Sequence, residues 1–286
     1  MPGCGLARVK WGASVNDEKG LSPEQQYYED DRIWATDFEA DSDEAARFSL
    51  IQETIPDDTR SLVDVGCGNG DFLKRIAGNY ERVCGVDRSA AALRHVITEK
   101  YLASAADLPF GDREFDTVCC LEVIEHLPVA IFPNVLRELA RVAAKHIVIS
   151  VPYDEDTRAD LVTCPSCYCS FNRNYHLRRF DEHAFRRLFD NVDGEFRVQV
   201  VNTVGEAVHP VGLATVKRLI SPLRRPRLPE GAVCPQCGTS AKSGQIQAES
   251  MHRISTDASG TFGARRFLPK VRKPRWIVGH FVRDTE

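Results

Sequence analysis

The sequence has no apolar run approaching the roughly 20 residues that a membrane-spanning helix needs. Its N-terminus also lacks the pattern of a secretory signal. Both absences lead us to expect a cytoplasmic protein. Internal repeats and low-complexity tracts are missing too, so no repeat architecture is expected. Nor is there an excess of one charge: Lys+Arg 37 against Asp+Glu 41 gives a net charge of −4, which leaves no overall footprint for nucleic acid. What remains is an ordinary globular composition, 43% hydrophobic and 27% charged. At 286 residues there is room for one α/β domain with insertions, not for a full second domain.

The even balance hides a local asymmetry. Between residues 205 and 275 stand 13 Lys/Arg against four acids, so this stretch is basic and the remainder acidic. The ten cysteines are also unevenly placed. Cys67, Cys84, Cys119 and Cys120 lie in or beside apolar runs, where a thiol behaves as a small buried hydrophobe. Cys164/Cys167 and Cys234/Cys237 form CxxC pairs, which in a cytosolic enzyme suggest metal ligands before disulfides. Cys4 and Cys169 are left over.

Hydrophobic periodicity supplies the elements. Ser22 followed by Pro23 and Glu24 looks like a helix start, and Ala45, Phe48, Ile51 and Ile55 recur at helical spacing. Strands are expected at Ser61–Val65, Arg82–Asp87, 101–104, Phe115–Leu121 and 146–151, with helices at 71–78, 90–99 and 129–144 between them. That alternation implies a doubly wound α/β fold with a parallel sheet. A helix at 181–189, a strand at 196–203 and a final strand at 275–283 follow.

The run VDVGCGNG, residues 63–70, follows a strand and opens a helix. Glycines there let the backbone approach a ligand, and the helix start supplies free N–H donors. Dinucleotide sites share such turns, but here Asp71 replaces the last glycine of a GxGxxG fingerprint, which favours a smaller ligand. Asp87 closes the second strand 21 residues after Gly66, where a carboxylate can accept both ribose hydroxyls. Asp107 falls in the turn after the third strand, within reach of an adenine amino group.

Together, VDVGCGNG, GVD, AADLPFGDREFDTV and LEVIEHL resemble the class I S-adenosylmethionine-dependent methyltransferases, specifically their small-molecule branch. The resemblance covers about residues 61–151. It implies a Rossmann-like seven-stranded sheet whose antiparallel final strand lies beside the fifth. It further implies that Gly66, Cys67, Gly68 and Gly70 line the S-adenosylmethionine tail and that Asp64 orients the turn. Asp87 would hold the ribose, Asp107 would contact adenine, and Leu121 and Glu122 would border the cofactor. His126 is placed near the transferred methyl, where it could serve as a base; His176 is a second candidate.

Cys164-Pro-Ser-Cys167 and Cys234-Pro-Gln-Cys237 are matching CPxC turns, and two such turns complete a closed, structural Zn2+ site. The 66 residues between the pairs are far more than a compact zinc ribbon holds. Both pairs nevertheless belong to connections at the C-terminal edge of the expected sheet, so the ion would clip two active-site loops together. The first knuckle followed by HLRRFDEHAF also resembles a subset of bacterial methyltransferases with the same insertion. In outline, residues 1–56 form an arm and cover helices, 57–204 the core with the first knuckle in 152–175, 205–274 a basic insertion with the second knuckle, and 275–286 the last core strand. The basic insertion suggests recruitment of an anionic acceptor or peripheral contact with an anionic membrane. An O-methyltransferase acting on a small or glycan-like acceptor is the expected function. A zinc-containing RNA methyltransferase is the alternative, disfavoured by the lack of an aromatic-interleaved basic groove. A binding module without catalysis is third, and the intact glycine turn argues against it.

Overall fold

The computed structural model describes residues 23–34, 42–158, 160–192, 196–208, 228, 232–240 and 271–284. Apolar runs become strands where they are flanked by turn residues: Ser61–Val65 (β1), Arg82–Asp87 (β2), Glu99–Leu102 (β3), Phe115–Leu121 (β4) and Ala143–Pro152 (β5). These five are mutually parallel, in the order β3-β2-β1-β4-β5. A parallel strand covered on both faces must be apolar throughout, and Leu62, Val63, Val65, Val118, Cys119 and Cys120 are all buried. After β5 a small hairpin, Leu161–Thr163 (β6) and Ser170–Asn172 (β7), stands outside the sheet. Phe196–Val208 (β8) and Val271–Arg283 (β9) complete it to seven strands, β9 lying antiparallel between β5 and β8.

Helices cover both faces. Ser42–Thr54 (α3) and Asp71–Ile76 (α4) bury Phe48, Ile51, Phe72, Leu73 and Ile76 against one side of the sheet. Phe132–Val142 (α6) and Glu182–Arg186 (α7) bury Val135, Leu136, Leu139 and Phe185 against the other. Each such side chain contributes about 1.5–3 kcal/mol on leaving water. Two short helices, Pro23–Tyr28 (α1) and Asp31–Trp34 (α2), precede the core, and Ala90–Leu93 (α5) follows β2. Among the described residues no helix is long and apolar enough to cross a membrane.

The doubly wound sheet and its antiparallel β9 are as expected from the sequence, but several bounds move. α5 ends at Leu93 instead of running to residue 99. The β-branched run Val96, Ile97, Thr98 disfavours a helix, and Lys100 Nζ caps the end by donating to the carbonyls of Leu93 (2.7 Å) and Val96 (2.8 Å). β3 accordingly begins two residues early, at Glu99. α6 starts late, with Pro133 in its first turn, and stops where Ala143 enters β5. β8 and β9 extend beyond their expected ends because each ladders the other, from Phe196↔Arg283 to Val208↔Val271.

Candidate active site

The parallel strands deliver their C-terminal ends to one edge, and a cavity of about 490 Å³ opens there. An open groove of about 550 Å³ at the opposite edge, along Arg137, Glu138 and Arg141, gathers charges already engaged with one another, as in Arg141–Glu138 at 2.7 Å.

The glycine turn forms one shoulder of the cavity. Gly66, Gly68 and Gly70 have φ of 81°, 54° and 76°, a region closed to most side chains, which explains why glycine recurs at alternate positions. The N–H groups of Gly66 and Cys67 donate to Val86 O at 2.7 and 3.0 Å, so the turn hugs the end of β2. Asp87 braces it from behind, accepting from Gly68 N at 2.9 Å and Ser89 N at 2.8 Å. α2 closes over the turn. A methyl group on Gly68 would lie 2.8 Å from the Trp34 ring, and Asn69 Nδ2 donates to Trp34 O at 3.2 Å.

Asp64 sits at the foot of the turn, 2% exposed and lining the cavity, with Oδ1 lacking any hydrogen-bond partner. Burial, reinforced by Asp87 and opposed by Arg47, pushes its carboxyl up to about 7. A buried carboxylate with a bare oxygen is costly unless a cation or donor approaches it. The cofactor expected from the sequence carries an ammonium and a sulfonium, so this bare carboxylate beside a turn with glycine at alternate positions fits it.

α3 supplies a charged pair that the sequence reading passed over. Arg47 bonds Glu44 at 2.5 Å and Ser150 Oγ at 3.3 Å, and lies 3.8 Å from Glu122. Burial pulls its guanidinium pKa down, but Glu44 and Glu122 outweigh that and raise it. Glu122, at φ 56°, accepts from Ser150 Oγ at 2.9 Å, and burial raises its carboxyl against the pull of Arg47. Glu44, Arg47, Phe48, Ile51 and Ile55 fall in one helical stripe. A charged pair inside an apolar stripe was the available signal.

The far wall is built by the 3₁₀ turn Ile124–His126 and the loop after β7. Leu177 N donates to Glu125 O at 2.8 Å, tying the two together. The His126 and His176 rings meet edge to face, centroids 4.7 Å apart, and Tyr28 approaches His126 at 6.5 Å. Burial, then His176 and Arg88, hold His126 down at about 3, so it is a neutral imidazole at neutral pH. Glu125 is 1% exposed with neither oxygen partnered, and burial followed by Glu122 raises its carboxyl far above the usual range.

Beside this wall the two CPxC turns meet. Cys164 and Cys237 approach to 3.6 Å and Cys167 and Cys234 to 3.5 Å between sulfurs, and all four sulfurs lie within 4.8 Å of one another. Four thiolates bound tetrahedrally at about 2.3 Å lie about 3.8 Å apart, so the cluster fits one zinc ion. The turns are conformational copies. Tyr168 N donates to Cys164 O and Gly238 N to Cys234 O, while Cys164 N and Cys234 N donate to Cys169 O and Thr239 O. Tyr175 links cluster to cavity: its hydroxyl donates to Val233 O at 2.6 Å and accepts from Val233 N at 3.2 Å. Cys169 stays outside the cluster.

Of the residues singled out from sequence, Asp64, Leu121, Glu122, His126 and His176 line the cavity. The glycines, Cys67 and Asp87 form its shoulder. Asp107 is exposed, in a turn closed by its N–H to Ser104 O, and does not line the cavity. Cys4 and most of the basic insertion, residues 209–227, 229–231 and 241–270, lie outside the described residues. Beyond Glu44 and Arg47, the reading missed the aromatic residues Tyr27, Tyr28 and Trp276, which carried no motif to mark them.

Comparison with known proteins places this geometry. A family described as a methyltransferase domain matches residues 34–195. A probable tocopherol O-methyltransferase from Oryza sativa subsp. japonica is 35% identical over 112 residues, 34% of this chain and 30% of that protein. A ubiquinone biosynthesis O-methyltransferase from Thiobacillus denitrificans is 33% identical over 92 residues, 29% of this chain and 40% of that protein. The chain therefore spans less than half the length of either relative. A crystal structure of a candidate methyltransferase from Bacillus halodurans superposes with a TM-score of 0.52 at 12% identity, over 84% of this chain and 100% of that one, a likeness of fold.

Proposed function

The chain belongs to the methyltransferase-domain family, and from that premise we propose that it transfers a methyl group from S-adenosylmethionine to an oxygen of a small or glycan-like acceptor. The carrying observation is that Asp64, with its bare buried oxygen, and His126 share one cavity at the mouth of the glycine turn. S-adenosylmethionine supplies an activated methyl on a sulfonium, which leaves the protein the tasks of alignment and of handling the acceptor's hydroxyl. Asp64 meets the cationic end, Asp87 and the glycine turn hold the adenosyl part, and Leu121 and Glu122 border it. His126 is the catalytic residue, facing the acceptor. Alignment of reacting atoms at about 3–3.5 Å supplies much of the acceleration in such transfers.

Calorimetry should give one S-adenosylmethionine per chain; absence of binding sinks the proposal. His126→Ala should lower turnover at least tenfold with unchanged cofactor affinity, measured by methyl transfer and calorimetry. The proposal includes a structural Zn2+ on Cys164, Cys167, Cys234 and Cys237, supported by the sulfur spacing. It also includes a cytoplasmic setting and an anionic acceptor or membrane surface met by the basic insertion, supported by its 13 Lys/Arg against four acids over residues 205–275.

A further inference from the structure

Three side chains at the acceptor end of the cavity are arranged in a way that methyl transfer by itself does not require. Glu125, His126 and His176 bring one carboxylate oxygen and two imidazole nitrogens within 4.8 Å of one another. His126 Nε2 lies 3.8 Å from Glu125 Oε1. Glu125 is 1% exposed, and both its oxygens, like His126 Nδ1, are buried without a hydrogen-bond partner. Three bare, buried polar atoms in one corner call for an explanation. Arg47, the nearby cation, is held by Glu44 at 2.5 Å instead.

The surroundings set these side chains as ligands. His176 Nδ1 contacts Glu155 Oε2, which fixes the ring and leaves Nε2 as the nitrogen to serve as a ligand. A carboxylate behind a histidine is the usual way of orienting an imidazole toward a metal. The backbone bond from Leu177 N to Glu125 O and the bond from His176 N to Asn172 Oδ1 at 3.3 Å hold the loop against the 3₁₀ turn. Ligand atoms bound to one ion at about 2.1 Å lie roughly 3–3.4 Å apart, within small side-chain rotations of what is seen.

We infer that Glu125, His126 and His176 form a second metal site, for a divalent first-row transition ion, distinct from the four-cysteine cluster. Two imidazoles and a carboxylate suit Mn2+, Fe2+, Co2+ or Zn2+, whereas thiolates select softer ions. Three protein ligands leave coordination positions open toward the cavity, and these take an oxygen of the acceptor. The acceptor class narrows to molecules offering a hydroxyl or similar oxygen donor, and His126 acts by holding the ion that grips it. This use of the ion rests on the methyl-transfer reading; the binding itself does not.

Mn2+ is the probe, because the thiolate cluster binds it poorly. The full chain, zinc-loaded and without cofactor or acceptor, is titrated with MnCl2 and free ion is followed by electron paramagnetic resonance. The expected result is one Mn2+ per chain, with nitrogen modulation from imidazole in the pulsed spectrum. Affinity should drop at least tenfold in Glu125→Gln and in His176→Asn, with zinc content and S-adenosylmethionine affinity retained. No uptake by the wild-type chain, uptake without imidazole nitrogen, or equal uptake by both variants would overturn the site. If the variants fail to fold, stoichiometry and nitrogen coupling in the wild type still decide. A protein that holds Mn2+ but transfers no methyl keeps this inference and sinks the functional one; transfer without Mn2+ binding does the reverse.

Discussion

Asp64 illustrates how a single residue can be set against its own stability. Its carboxyl, raised to about 7 from the ordinary aspartate value of 3.8, is ionised at neutral pH only at a cost of up to about 4 kcal/mol. A raised acid pKa means that the folded chain holds the proton more tightly than the unfolded one. The penalty is therefore absent below pH 3.8, grows through the interval, and is complete above about 7. Asp64→Asn should consequently melt no lower than wild type at pH 8 in the ligand-free form, by calorimetric scan. It should bind S-adenosylmethionine at least tenfold more weakly. A variant that loses stability but binds normally would show that Asp64 only supports the turn. Asp64 was legible in the sequence because it precedes the glycine turn; its bare oxygen was not, since that depends on what fails to approach it in space.

At the scale of elements, the paired cysteine turns brace the loop that carries Tyr175 and His176. Cys164, Phe171, Tyr175 and Cys234 form one buried cluster, joined to the second turn by the Tyr175 hydroxyl. Removing the proposed zinc with a chelator, or mutating Cys234→Ser, should lower the melting temperature. It should also speed hydrogen exchange of the 172–177 amides while sparing β1 and β4, as mass spectrometry would report. Unchanged exchange there would separate the cluster from the cavity. Strands β1, β2 and β4 could be bounded to the residue from the sequence, because burial on both faces demands an unbroken apolar run between turn signals. α5 could not. Its early end depends on Lys100, which reaches back from the next strand to cap it.

Across the whole molecule, the late strand β9 is sewn into the early core through a chain of polar groups that runs from the buried His280 and His146 to the exposed Asp58. His280 Nε2 lies 3.1 Å from His146 Nδ1, and His146 Nε2 lies 3.0 Å from Asp58 Oδ1. Burial, then His146, pushes His280 down to about 4 against the opposing pull of Asp58. The unfolded chain takes up this proton near 6.5, the folded chain only near 4. Stability is thus intact above pH 6.5 and declines as pH falls through 4, by up to about 3 kcal/mol for this group. Urea unfolding at pH 7 and 4.5 should show that decline, and His280→Gln should flatten it. The sequence by itself determined the alternation of strands and helices, the glycine turn, the acidic strand end at Asp87 and the matching cysteine turns. Each of those rests on neighbours in the chain, whose spacing a periodic backbone converts directly into position. Only the tertiary structure decided that His176 would meet His126, that Arg47 would reach Glu122, and that cysteines 67 and 73 residues apart would converge. Those meetings depend on how layers pack on the sheet, and packing is set by the volume and shape of many side chains together.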